Sequence, residues 1–149
     1  MNMKHITSLT TFALAFAVSV TIAGFFQVKV SKSTAQKITQ VLAQDIANGN
    51  ARTAKRCRKP ANDLAVRTQD YVNASTSIET IGLPNDFQSA WKKHMEAWRN
   101  HSNFLNSVDS MDSNTLEIDQ YNTDEINRTW WEVLRIARKH GAEIPAGAY

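Results

Sequence analysis

Between Phe87 and Val108 the large side chains follow one another at steps of four and three. The series is Phe87, Trp91, His94, Trp98, His101, Leu105 and Val108. That spacing lays a single seam along an α-helix. Ala90, Ala97 and Phe104 lie beside it and widen the apolar stripe. Three other stretches keep helical spacing. Ala35, Ile38, Val41, Leu42 and Ile46 give a face that ends at the turn signal Asn48-Gly49-Asn50. From Asn50 to about Ile81, the residues Ala54, Cys57, Ala61, Leu64, Thr68, Tyr71, Ser75 and Ile78 alternate small with larger. Such alternation lets a neighbouring helix come close. The register crosses Pro60 unchanged, which predicts one helix kinked there or two collinear pieces. Gly82 to Asp86 reads as a loop, with Asn85 or Asp86 as the next N-cap.

Asp109 to Asn122 is acidic, holds no Lys or Arg, and reads as a connection with one short turn near 115–120. Its charge makes it a candidate neighbour for basic residues elsewhere in the chain, through weak exposed pairs. Asn122-Thr-Asp-Glu125 resembles a capping box. Beyond it Ile126, Trp130, Val133, Ala137 and His140 form the last seam, with Trp131 and Leu134 alongside and Gly141 placed to end the helix.

The N-terminus follows a different pattern. Ile6 to Val28 is 23 residues without a charge, flanked by Lys4 and His5 and by Lys29 and Lys32. At about 1.5 Å per residue it can cross a hydrocarbon core of roughly 30 Å. It exceeds the usual apolar core of a cleaved signal, and Thr21-Ile-Ala23 is a poor cleavage site, so it reads as an uncleaved anchor. The expected fold is all-α: an N-terminal transmembrane helix continuing into an up-down four-helix bundle. The expected divisions are a tail at 1–5, an anchor at 6–28, a bundle at 29–141 and an irregular tail at 142–149. The bundle helices fall at about 29–48, 50–81, 86–108 and 123–140. Flanking charge alone does not orient the anchor. The usual signal-anchor arrangement puts the bundle on the periplasmic side of a bacterial-type inner membrane.

Composition narrows the class. The chain has 149 residues, one domain's worth beyond the anchor, and only 5 Gly and 3 Pro, too few turn residues for a barrel or sandwich. A net charge of +3 gives no nucleic-acid signature. The lone Cys57 excludes an intrachain disulfide, a zinc ribbon and covalent haem attachment, and reads as a small core residue.

His94 and His101 are the sharpest chemical candidates. They stand two turns apart, about 10 Å along the axis, so they cannot share one metal ion. No Glu-x-x-His pair supports a di-iron site. A b-type haem on either histidine, with His140, Met95 or Met111 as second ligand, is one alternative. The simpler reading is a partly polar core in which each imidazole bonds a neighbouring helix. Trp91, Trp98, Trp130 and Trp131 are either core or a ligand or partner surface, with Trp131 off the seam and suited to an exposed contact. Arg52, Lys55, Arg56, Arg58 and Lys59 form a dense basic cluster, either a solvated face or a patch for an anionic partner. The Asn-x-Ser/Thr matches at Asn73, Asn100 and Asn127 fall within predicted helices and read as chance.

The sequence contains no nucleophile–base arrangement and no phosphate-binding glycine loop. The expectation is a membrane-anchored, non-enzymatic helical bundle without a cofactor, acting as a sensor- or adaptor-like module. It would bind a ligand or a protein partner, or self-associate, and not bind nucleic acid. The alternatives are a haem- or metal-binding redox bundle on His94 or His101, and a structural subunit of a membrane complex. In layout the chain is similar to the extracytoplasmic four-helix domain of bacterial chemoreceptors, without their second transmembrane helix or signalling domain.

Overall fold

The helical seams build α1 (Thr34–Ala54), α2 (Asn62–Thr76), α3 (Asn85–Ser107) and α4 (Ser113–Lys139). The computed structural model describes residues 32–54, 62–108 and 112–149. Among them there is no strand, and no helix is long and apolar enough to cross a membrane. The predicted anchor at 6–28 lies outside the described residues, as do Lys55 to Ala61 and Asp109 to Met111.

Consecutive helices are antiparallel neighbours, as cross-helix pairs show. Asp45 and Arg52 of α1 meet Tyr71 and Thr68 of α2. Ser102 of α3 bonds Gln69 of α2. His94 and His101 of α3 meet Thr129 and Asp119 of α4. The result is an up-down four-helix bundle. Its core is graded from end to end. Around Ile38, Leu42, Phe87, Trp91, Val133 and Leu134 it is apolar and closed. Further along the same axis the buried positions are Asp45, Thr68, Ser75, His94, His101, Ser102 and Thr129. Such polar positions persist in a core only when they are hydrogen-bonded.

Five boundaries differ from the expected ones. Helix α1 begins at Thr34 and not near residue 29, with Lys32 and Ser33 outside it and the Ser33 hydroxyl accepting from the Gln36 amide. Helix α1 runs through Asn48-Gly49-Asn50 to Ala54, because the turns on either side of Gly49 are tied to α2. Asn48 bonds Ser75 at 3.1 Å, Tyr71 donates to Asp45 at 2.8 Å, and Arg52 Nε donates to Thr68 at 3.3 Å. Those contacts offset the roughly 1 kcal/mol that a mid-helix glycine costs. Helix α1 ends at Ala54 and α2, antiparallel to it, begins at Asn62, so residues 50–81 are not one helix. At its other end α2 stops at Thr76. Ile78 and Leu83 enter the core from the loop that follows, held by turn bonds from Ile78 to Ser75 and from Leu83 to Thr80. Helix α3 is preceded by Pro84 with no side-chain cap, and Asp86 accepts instead from the Phe87 amide.

The largest departure is at α4. It begins at Ser113, about ten residues before the expected start, in a stretch read as a loop. Its capping box is Asp112 with Thr115, each side chain meeting the other's backbone, and Asn122 lies within the helix. The tail differs too. Gly141, at φ +73, ends α4 as expected: its amide bonds Arg138, and the Ala142 amide reaches back to Ala137. The residues after it are irregular but packed, with Ala142 and Ala148 buried and Ile144 against the core.

The two candidate starts of α4 give different stability effects. Asp112→Ala should cost about 1 kcal/mol by loss of the cap, whereas Asn122→Ala should stay within a few tenths, measured by urea denaturation. Equal effects would put the helix start elsewhere.

Candidate functional site

The polar layer of the core is one connected chain of side chains. The Thr129 hydroxyl lies 2.9 Å from the Glu125 carbonyl and 3.0 Å from that of Ile126, so its proton is spent within α4. It is therefore the acceptor of the 3.0 Å contact with His94 Nδ1. His94 Nε2 in turn accepts from the Trp98 indole N–H at 3.2 Å. The imidazole is thus neutral, with its proton on Nδ1. Burial pushes it down to about 3, against a smaller upward pull from the Ile126 carbonyl. Trp98 meets the edge of Tyr71 at 4.6 Å and carries the Arg52 guanidinium over its ring at 4.9 Å. Tyr71 completes the chain by donating to Asp45. Burial raises the Asp45 carboxyl despite its bonds to Ser75 and Tyr71, and burial also raises the Tyr71 phenol.

This layer opens into a cleft of about 290 Å³. The cleft exists because α1 and α4, first and last in the bundle, touch only sparingly. The C-terminal tail sits in the seam between them instead. Thr39 of α1 donates to the Glu143 carbonyl, and the Trp130 indole of α4 donates to the Ala148 carbonyl at 2.8 Å. Between those bonds Gly147 turns at φ +89 against Ile46, a conformation that L side chains rarely adopt. The inner wall of the cleft is aromatic: Tyr71, His94, Trp98 and Trp130. Its α1 side carries Asp45 and Arg52, and Ile126 and Asn127 stand on the α4 side. The volume sits at the lower edge of the roughly 300–1,000 Å³ common for small-molecule sites.

Of the residues the sequence nominated, His94, Trp98, Trp130 and Arg52 meet here, from three different helices. The others do not. Trp91 is buried in the apolar half of the core. His101 lies two turns along α3, with Nε2 at 2.8 Å from Asp119 of α4. Among the described residues, His101 Nδ1 is buried without a hydrogen-bond partner. Trp131 is 53 % exposed and packs at the surface on the Tyr149 ring. Lys55, Arg56, Arg58 and Lys59 lie outside the described residues. His140 bonds Asp86 together with Lys139, and these bonds hold the Asp86 carboxyl well below the usual range.

Two wall residues, Asp45 and Tyr71, were not nominated, although a signal for both exists. Ile38, Leu42, Asp45, Gly49 and Arg52 step by four, three, four and three, which places Asp45 and Arg52 on the inner seam of α1. Both nitrogens of His94 are committed, so a haem iron there would have to displace Thr129 or Trp98. Among the described residues no three His, Cys, Asp or Glu side chains gather as a metal site.

His94 gives the protein a defined acid response. Its folded pKa lies below the unfolded value of roughly 6.5, so the unfolded chain binds more protons between the two. Its stabilisation is complete above about pH 6.5 and is lost as pH falls towards 3. Between pH 7.5 and 5 the loss should be about 2 kcal/mol. Asp45, shifted upward, acts in the opposite sense. Comparison with His94→Gln in urea melts at both pH values isolates the histidine; an equal pH dependence in the two proteins would refute this account. No protein-family model, curated protein or solved structure matches the chain, so the chemistry of the cleft is read from its own side chains.

Proposed function

We propose that the protein is a membrane-tethered binding module that holds a small ligand in the cleft between α1 and α4. The observation that carries this reading is the convergence of Arg52, His94, Trp98 and Trp130 on one cavity, beside a helix seam bridged mainly by irregular tail. A bundle selected for packing alone gains by closing such a seam, since unfilled space forfeits dispersion contacts. A few polar groups set in an aromatic wall are the usual make-up of a ligand site.

Three features favour binding over catalysis. His94 has no free nitrogen to act as a base. The Asp45 carboxyl accepts from Tyr71 and is biased by burial towards its neutral form. The groups that remain on the cleft surface are aromatic faces, amides, a guanidinium and the Thr53 hydroxyl, which donates to the Asn50 carbonyl and has no base beside it in the lining. The uncharged stretch Ile6 to Val28 supplies the tether, with the bundle on the periplasmic side. Ligand occupancy would act on the α1–α4 seam, which is where a protein partner or second copy could sense it.

Native mass spectrometry of the full-length protein, extracted gently from its host membranes, tests this directly. The wild type should carry a small non-covalent adduct. Asn127→Trp, which places an indole at an exposed position on the cleft wall, should remove it while leaving the melting temperature within a few degrees. An adduct that survives the plug, or a bare protein mass in both samples, would overturn the cleft reading. Membrane association should be lost on deleting residues 1–28; a pelleting assay in which the shortened protein stays with the membrane would refute the tether.

A further inference from the structure

The cleft's charges narrow its ligand to one chemical class, an inference that rests on the binding reading above. Arg52 is half-buried and, among the described residues, has no carboxylate partner. Its Nε is spent on Thr68 and its plane lies over Trp98. A guanidinium stays charged in a protein, so its remaining donors keep an unbalanced positive charge at the cleft wall. Arg67 of α2 stands beside it, donating to the Arg52 carbonyl, and its charge adds to burial in pulling the Arg52 pKa down. Lys55, Arg56, Arg58 and Lys59 follow directly in sequence. Within the described cleft lining, Arg52 is the one cationic side chain.

The one carboxyl in the wall does not balance it. Asp45 stands two turns away on the same helix and is bonded by Tyr71 from α2. Burial favours its protonated form. A cationic ligand would meet the aromatic wall with Arg52 already seated on Trp98 and with no exposed anion to receive it.

The geometry points to a small organic carboxylate as the ligand, its carboxylate on the Arg52 guanidinium and its apolar body against Trp98, Trp130 and Ile126. A guanidinium fork matches a carboxylate in two parallel hydrogen bonds. Ile126, Trp98 and Trp130 give an apolar body a surface to pack on, and the volume suits a molecule of about amino-acid size.

The test uses the full chain in lipid nanodiscs and saturation-transfer NMR with a matched panel. The panel sets carboxylate, primary amide, primary amine and trimethylammonium head groups on phenylmethyl and short aliphatic bodies, with phenylalanine as the zwitterion. Carboxylates should bind at least tenfold more tightly than their amides. Arg52→Gln should weaken them by roughly ten- to a hundredfold. Arg52→Lys, which keeps the charge and the stem over Trp98, should weaken them less and guards against a folding defect. Asn127→Trp should abolish binding. If amines, ammonium compounds or amides bind as well as carboxylates, with loss in Asn127→Trp and no effect of Arg52→Gln, the carboxylate class is wrong and the cleft reading stands. If no member of the panel is affected by Asn127→Trp, both are wrong.

Discussion

A chain of side chains constrains the rest of the structure: hydrogen bonds link Thr129, His94 and Trp98, an aromatic edge contact joins Trp98 to Tyr71, and Tyr71 donates to Asp45. It draws one member or more from every helix, so the four helices can take only one relative register. Apolar packing alone would be more forgiving, because a Leu or Ile contact survives a small slide. A half-satisfied polar layer does not survive one, since each orphaned group costs on the order of 1–3 kcal/mol. The apolar half of the core drives collapse, and the polar half selects the register. Trp130, whose ring stacks near His94 at 5.1 Å, extends that selection to the tail through the Ala148 carbonyl.

The same layer explains why a cleft can exist at all in so small a bundle. Polar groups already paired with one another lose little by facing a cavity that admits water or ligand. A gap of this size among Phe87, Leu42 and Val133 would instead strip dispersion contacts from every wall. The cavity lies where polar side chains join the aromatic and aliphatic ones in the core, with Asp45, Arg52 and His94 beside Ile46, Trp98, Ile126 and Trp130.

How much of this was legible in the sequence depended on which signal each residue carried. The seams of α3 and α4 were legible because Phe87, Trp91, His94, Ile126 and Val133 repeat at helical steps, and tryptophan and histidine on a seam mark themselves. Asp45 was passed over because a carboxylate on an apolar face is discounted unless its partner is known, and Tyr71 lies far away in sequence. Asn48-Gly49-Asn50 carries a strong local turn signal, which the tertiary bonds to Thr68, Tyr71 and Ser75 override. The early turns of α4 were hidden for the opposite reason. Leu116, Ile118 and Tyr121 are exposed there, so no buried stripe announces the helix, and Asp112 with Thr115 is a quieter cap than the Asn122 box. The tail had no periodicity to read, because its anchors are backbone carbonyls.

That tail has a kinetic meaning. The most extensive helix contacts join sequential neighbours, which are close in sequence and so cost little loop-closure entropy. The bond from Thr39 to Glu143 spans 104 residues and can form only after three hairpins have already brought the first helix round to the last. Closing the α1–α4 seam therefore carries the largest loop-closure cost of the described contacts. By the same ordering the seam is the cheapest place for the native protein to come apart locally. An opening at that seam would separate α1 from α4 while the closed apolar end, around Phe87, Leu42 and Val133, kept its packing, so the cleft's mouth is placed where chain topology makes a hinge least costly.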